Sequence, residues 1–140
     1  MHSLVYRSVA IDSFTLPEIY IMLSQAKEYN ANKGITGCLL YHNSSFIQFL
    51  EGEERDVSLL FEKISQDKRH YDIELIKREN TEKRLFNKWS MAFHDYGQNG
   101  HSASLKMNQI DTFINESNIL THKSNTIIPF FKNVKNILFA

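Results

Sequence analysis

A chain of 140 residues with 42% hydrophobic and 23% charged residues fits one globular domain and excludes wholesale disorder. Sixteen Lys and Arg balance sixteen Asp and Glu, so no global basic field exists to hold nucleic acid or an anionic membrane. A single cysteine, Cys38, excludes an internal disulfide and any multi-cysteine metal site. This cysteine usage, with no secretion signal in MHSLVYRSVA and no membrane-length apolar run, points to a cytoplasmic protein.

Residues 3–10 alternate and are rich in β-branched and aromatic types, which predicts a strand. Leu4, Tyr6, Ser8 and Ala10 share one face; Val5, Arg7 and Val9 take the other. Thr15 with Glu18 three residues later forms a capping box, and Pro17 suits a first helical turn. The helix that follows aligns Leu16, Ile19, Met22, Leu23, Ala26 and Asn30, and Gly34 stops it.

Residues 35–41 and 46–52 flank a polar four-residue stretch, 42–45, and read as a hairpin. Both strands are apolar on both faces, so both faces of their sheet should be covered. A second helix runs from about Arg55 to Asp67, with Val57, Leu60, Phe61 and Ile64 as its stripe. Residues 71–79 form a fourth strand, and 88–93 a fifth, with Trp89, Met91 and Phe93 on one face. The stretch 96–102 shifts to loop composition and marks a boundary. Two helical patterns follow, the second placing Ile127, Phe130, Phe131, Val134, Ile137 and Leu138 on one stripe.

The fold class is therefore α+β, a ferredoxin-like βαββαββ with a five-stranded mixed sheet. Two helices lie over one face and the C-terminal helices over the other. Residues 1–96 form the functional domain, and 97–140 a helical cap within the same compact unit. The right-handed crossover is expected to set the first and third strands side by side and parallel.

Polar residues on faces that should be apolar carry the functional signal. Gln48 falls between Phe46 and Leu50, Tyr6 between Leu4 and Ser8, and Asn30 on the core stripe of the first helix. Asp67, Arg69 and His70 end the second helix. Together they would ring one slot between helices and sheet, and burying an amide without a partner costs roughly 2–7 kcal/mol. A ligand with donors and acceptors would satisfy them. Taken singly, each also has an ordinary structural role as a cap, a rim hydroxyl or a solvated helix end. No HExxH, GxSxG, GxGxxG or P-loop occurs, so nothing here marks a metal site or a known hydrolase.

In order and spacing, LVYRS (4–8), AKEYNANKGITGCLLY (26–41), FIQFLEGEERDV (46–57), FEKISQDKRHYDIE (61–74) and RLFNKWSMAF (84–93) resemble the BLUF domain family. These are blue-light sensors that use flavin adenine dinucleotide, and residues 97–140 are similar to the tail of short, single-domain members. The resemblance implies a photoreceptor rather than an enzyme, holding FAD non-covalently, with FMN and riboflavin as alternatives. It places the photoactive Tyr at Tyr6 and the flavin-contacting Gln at Gln48. Further flavin contacts fall on Asn30, Lys63, Asp67, Arg69 and His70, and apolar walls on Met22 and Ile64. Trp89 and Met91 take the signal-relay positions. Light would drive electron and proton transfer from Tyr6 through Gln48, and the rearranged amide would red-shift the flavin. Ala26 and Tyr29 depart from the family's Ser and its His or Asn, which bears on kinetics and phosphate-side contacts.

The output would pass to a separate partner protein, and homo-oligomerisation is compatible with the tail but not demanded. Three other readings stay open: a flavin-binding module that no longer signals, a small ferredoxin-like enzyme of the acyl-phosphate hydrolase type, and a plain interaction module whose slot is empty.

Overall fold

The computed structural model describes residues 1–42 and 44–84 and the backbone of 92–95. The elements run β1 (His2–Ala10), α1 (Leu16–Lys33), β2 (Thr36–His42), β3 (Ser45–Gly52), α2 (Glu54–Gln66), β4 (His70–Asn80) and β5 (Ala92–Asp95).

α1 starts as its sequence dictates. The Glu18 carboxylate accepts from the Thr15 backbone N–H at 3.3 Å and from its hydroxyl at 2.8 Å. Those bonds hold the Glu18 carboxyl below the usual carboxylate range. The helix stops at Gly34, whose φ of 67° is a left-handed conformation that glycine adopts without strain. The Ile35 N–H then bonds the Asn30 carbonyl at 2.8 Å, which fixes the last turn and with it the inward direction of the Asn30 side chain.

The first four strands make an antiparallel sheet in the order β4-β1-β3-β2. Beyond β2, the backbone of β5 runs parallel to it, with Cys38 opposite Ala92. β1 and β3 are neighbours, but antiparallel, not parallel as the sequence reading expected. The crossover through α1 makes β1 and β2 parallel and leaves a gap between them. The hairpin then reverses the chain, so the strand that fills the gap runs opposite to β1. The hairpin is also tighter than expected, because His42 pairs with Ser45 and only positions 43 and 44 lie between. Ser44 there adopts a left-handed φ of 66°.

Strand alternation gives the sheet two faces. Leu4, Tyr6, Ala10, Leu39, Phe46 and Leu50 form a core with Ile19 and Leu23 of α1 and Val57 of α2. Val5, Cys38, Leu40, Ile47 and Phe49 belong to the opposite face and are buried as well. β4 is irregular: its ladder with β1 shifts register twice, and Asp72 sits at φ 51°. The fifth-strand prediction began at Lys88, but residues 85–91, and 96–140 with the C-terminal helices, lie outside the described residues.

Candidate functional site

Three neighbouring strands place one row of side chains under the helices. Tyr6 on β1 is directly opposite Gln48 on β3, and Gln48 is directly opposite Leu39 on β2. Tyr6 and Gln48 are 4% and 7% exposed, and the Tyr6 hydroxyl donates a hydrogen bond to Gln48 Oε1. With Oε1 taken by the phenol, the amide NH2 is the donor on the other side of the group. The Phe61 ring packs 5.3 Å from the Tyr6 ring, centre to centre, and His70 meets it edge-on at 6.4 Å. Burial, and second the Asp67 carboxylate, push the Tyr6 phenol well above its usual pKa, so it is neutral across the physiological range.

Between this row and the helices lies a cleft of about 770 Å³, mouth included. All nine residues expected to contact a ligand line it: Tyr6, Met22, Asn30, Gln48, Lys63, Ile64, Asp67, Arg69 and His70. Asn30, 1% exposed, reaches it from the last turn of α1. Lys63 and Ile64 come from the last turns of α2, and Asp67, Arg69 and His70 from the turn into β4. Trp89 and Met91 lie outside the described residues.

The polar groups at the α2 end hold one another. Asp67 accepts from the Arg69 guanidinium Nε at 2.9 Å and from its backbone N–H at 3.0 Å. Its carboxyl is thereby kept below its usual pKa, and the guanidinium is raised by the same bond. The His70 Nε2–H donates to the Ile64 carbonyl at 2.6 Å. Its Nδ1 is hydrogen-bonded to the Ser8 hydroxyl at 2.8 Å. His70 therefore ties the end of α2 to β1, two residues from Tyr6.

Six lining residues were not among the expected contacts: Leu23, Ala26, Phe46 and Leu60 were placed only on core-facing stripes or near the flavin ring, and Phe14 and Leu39 had no reading at all. Phe14 sits in the β1–α1 connection, outside any periodic pattern, and Arg69 lies 5.2 Å over its ring. Leu39 was legible in principle, since a strand partner of Gln48 must share its face. The packing of Lys63 on Tyr29 also had no sequence signal; the ammonium lies 4.6 Å from the ring centre.

This geometry defines a two-layer α+β domain with a slot for a flat ligand, apolar on its faces and polar along one edge. Met22, Leu39, Leu60 and Ile64 offer apolar walls, Asn30 and Gln48 a carboxamide edge, and Lys63 and Arg69 a cationic mouth. A flavin has that shape and polarity, so the residues fit one. Residues 1–92 match the family described as BLUF, sensors of blue-light using FAD. The chain belongs to the BLUF family, and its residues 1–92 are a sensor module of that family.

It is 37% identical over 93 residues to the blue light- and temperature-regulated antirepressor BluF of Escherichia coli K12, covering 66% of this chain and 23% of that protein. It is similar to the structure of BlsA in its ground state, with TM-score 0.68 and 31% identity, over 98% of this chain and 84% of that one. The Klebsiella pneumoniae BlrP1 structure with FMN and cyclic diGMP matches with TM-score 0.77 and 25% identity, over 96% of this chain and 34% of that one. The chain thus spans less than a quarter of the curated relatives it matches. Among the described residues no helix is long and apolar enough to cross a membrane.

Proposed function

We propose that this chain is a cytoplasmic photoreceptor that holds FAD non-covalently in the cleft, switches through Tyr6 and Gln48, and signals to a separate protein. The observation that carries the reading is the buried hydrogen bond from the Tyr6 hydroxyl to Gln48 Oε1 at the cleft floor. A flavin bound there supplies a blue-light-excited acceptor for an electron and a proton. Tyr6 is a neutral phenol and has both to give. Its proton moves from Oη toward Gln48 Oε1, and both proton and electron return to Tyr6. What persists is the amide, rotated or tautomerised, so that a different polar atom faces the cleft.

Asn30 fixes the polar edge of the ligand, and Met22 and Ile64 grip its faces. Lys63 and Arg69 meet its phosphates, Asp67 aims Arg69, and His70 secures the α2 end. The presence of FMN in the BlrP1 structure supports a cleft that also accepts the shorter flavin. Trp89 and Met91 relay the change in Gln48. Residues 1–96 act as the photosensory domain and 97–140 as a helical cap on the far sheet face. That cap is supported by the burial of Val5, Ile47 and Phe49 there, at 1% exposure each. That the module acts on an effector is supported by relatives in which the matched region is a minor part of a longer chain.

The test is optical. The purified chain is expected to be yellow, to release flavin on denaturation, and to shift its absorption reversibly to longer wavelength in blue light. Tyr6→Phe and Gln48→Leu should keep flavin and lose the shift. A colourless protein that takes up no added flavin overturns the site, and a normal shift in Tyr6→Phe overturns the mechanism.

A further inference from the structure

Arg69 and Lys63 both face the cleft mouth, but in different electrical states. Arg69 is paired by Asp67. No carboxylate among the described residues forms an ion pair with Lys63, whose ammonium instead lies over the Tyr29 ring. Tyr29 is on α1, next to Asn30, and Lys63 is on α2, next to Ile64. The contact therefore bridges the two helices that form the walls and joins positions adjacent to two cleft residues. Tyr29 is half-buried, so its ring is a fixed platform, whereas Lys63 is exposed and otherwise free to swing into solvent. The ring takes one side of the ammonium by cation–π attraction and leaves N–H donors for an anion.

We propose that Tyr29 is a positioning residue that parks Lys63 at the mouth and so sets the preference of the cleft for phosphorylated flavins over riboflavin. The proposal rests on the reading that the cleft binds flavin. The flavin ring belongs inside, at the Asn30–Gln48 edge, and its side chain leaves past the exposed Lys63. A phosphate there meets a cation that no carboxylate among the described residues pairs with. Riboflavin, which has no phosphate, gains nothing from it.

The experiment measures dissociation constants of the full chain for riboflavin, FMN and FAD in the dark, by quenching of flavin fluorescence, at two salt concentrations. In the native protein FMN and FAD bind more tightly than riboflavin, and added salt narrows the gap. Tyr29→Leu weakens FMN and FAD by about two- to five-fold and leaves riboflavin unchanged. Tyr29→Phe, which keeps the ring, retains the native preference. Lys63→Gln, at an exposed site that does not endanger folding, reduces the preference and its salt dependence by at least as much as Tyr29→Leu does. Equal weakening of all three flavins in Tyr29→Leu, an unchanged FMN-to-riboflavin ratio there, or a preference undiminished by Lys63→Gln would each overturn the proposal. Failure of the native protein to bind any of the three flavins would instead overturn the flavin site on which it rests.

Discussion

The Tyr6–Gln48 bond makes a prediction about stability that is independent of light. Tyr6→Phe deletes one oxygen and leaves the ring packing on Phe61 intact, but it strips Gln48 Oε1 of its donor in a site only 7% exposed. Leaving a buried acceptor unsatisfied costs about 1–3 kcal/mol. Gln48→Leu does the converse: the Tyr6 hydroxyl, in a residue 4% exposed, loses its acceptor at a similar cost of about 1–3 kcal/mol. In the double variant neither polar group remains, and replacing both partners by apolar groups is close to neutral for the pair. Any other contact of the Gln48 amide is lost in both Gln48→Leu and the double variant, so it cancels from the cycle. The double variant should therefore be less destabilised than the sum of the singles, by about 2–6 kcal/mol. Urea denaturation of the four flavin-free proteins at one pH, followed by far-ultraviolet circular dichroism, measures this. With typical slopes, each single variant moves the midpoint by roughly 1 M. Strict additivity would refute a satisfied, buried phenol–amide pair.

A Cβ added at Gly37 would lie 1.9 Å from the Phe49 carbonyl oxygen, which is backbone, so Gly37→Ala must separate β2 from β3 and should cost about 1–3 kcal/mol or more in urea stability. The Arg84 guanidinium donates to the Gly34 carbonyl at 2.7 Å, the Thr36 hydroxyl at 2.8 Å and the Glu51 carbonyl at 3.2 Å. Arg84→Met should then cost about 1–3 kcal/mol, with Arg84→Lys recovering only part because one ammonium does not span three acceptors. The Asp67 carboxyl is depressed in the folded state, so its contribution is complete above the unfolded carboxylate range, about pH 4, and is lost as pH falls through its lower folded value. Asp67→Asn should flatten the acid limb of the stability profile, read as urea midpoint against pH, and an unchanged limb would refute the Arg69 tether.

The parts of the site that lie in regular elements were legible in the sequence. Alternation alone puts Gln48 with Phe46 and Leu50, and helical spacing puts Asn30 with Ile19 and Leu23. The start of α1 was legible because Thr15 and Glu18 act within one turn. The direction of β1 relative to β3 was not read correctly, since handedness fixes the position of a strand and its direction follows only when the hairpin reversal is traced. The hairpin looked longer than it is because the apolar pattern ends at Tyr41 and Phe46, while the backbone pairing of His42 with Ser45 needs no apolar side chain. Phe14 was missed because it belongs to a connection without a period, and the His70 tie to Ser8 and Ile64 because its partners are 62 and 6 positions away.

Why a phenol and an amide should meet in the core follows from what a switch needs. An apolar pair at these positions would pack without polar groups to satisfy, and the fold would lose nothing by it. The amide differs from any apolar residue in having two polar ends that exchange roles when it turns. A surface amide would turn freely and store no information. At 7% exposure, Gln48 has its orientation set by partners inside the molecule. Tyr6 holds Oε1 as long as its proton is in place, and the raised pKa of the phenol keeps that proton in place in the dark. Removing it for an instant leaves the amide without the contact that fixed its orientation. The same burial that makes each single substitution costly thus makes the arrangement discrete, with two orientations rather than a continuum. The sheet supplies the rigid part: β1, β3 and β2 fix Tyr6, Gln48 and Leu39 by backbone pairing, so in the proposed switch the side-chain amide is the element left to turn.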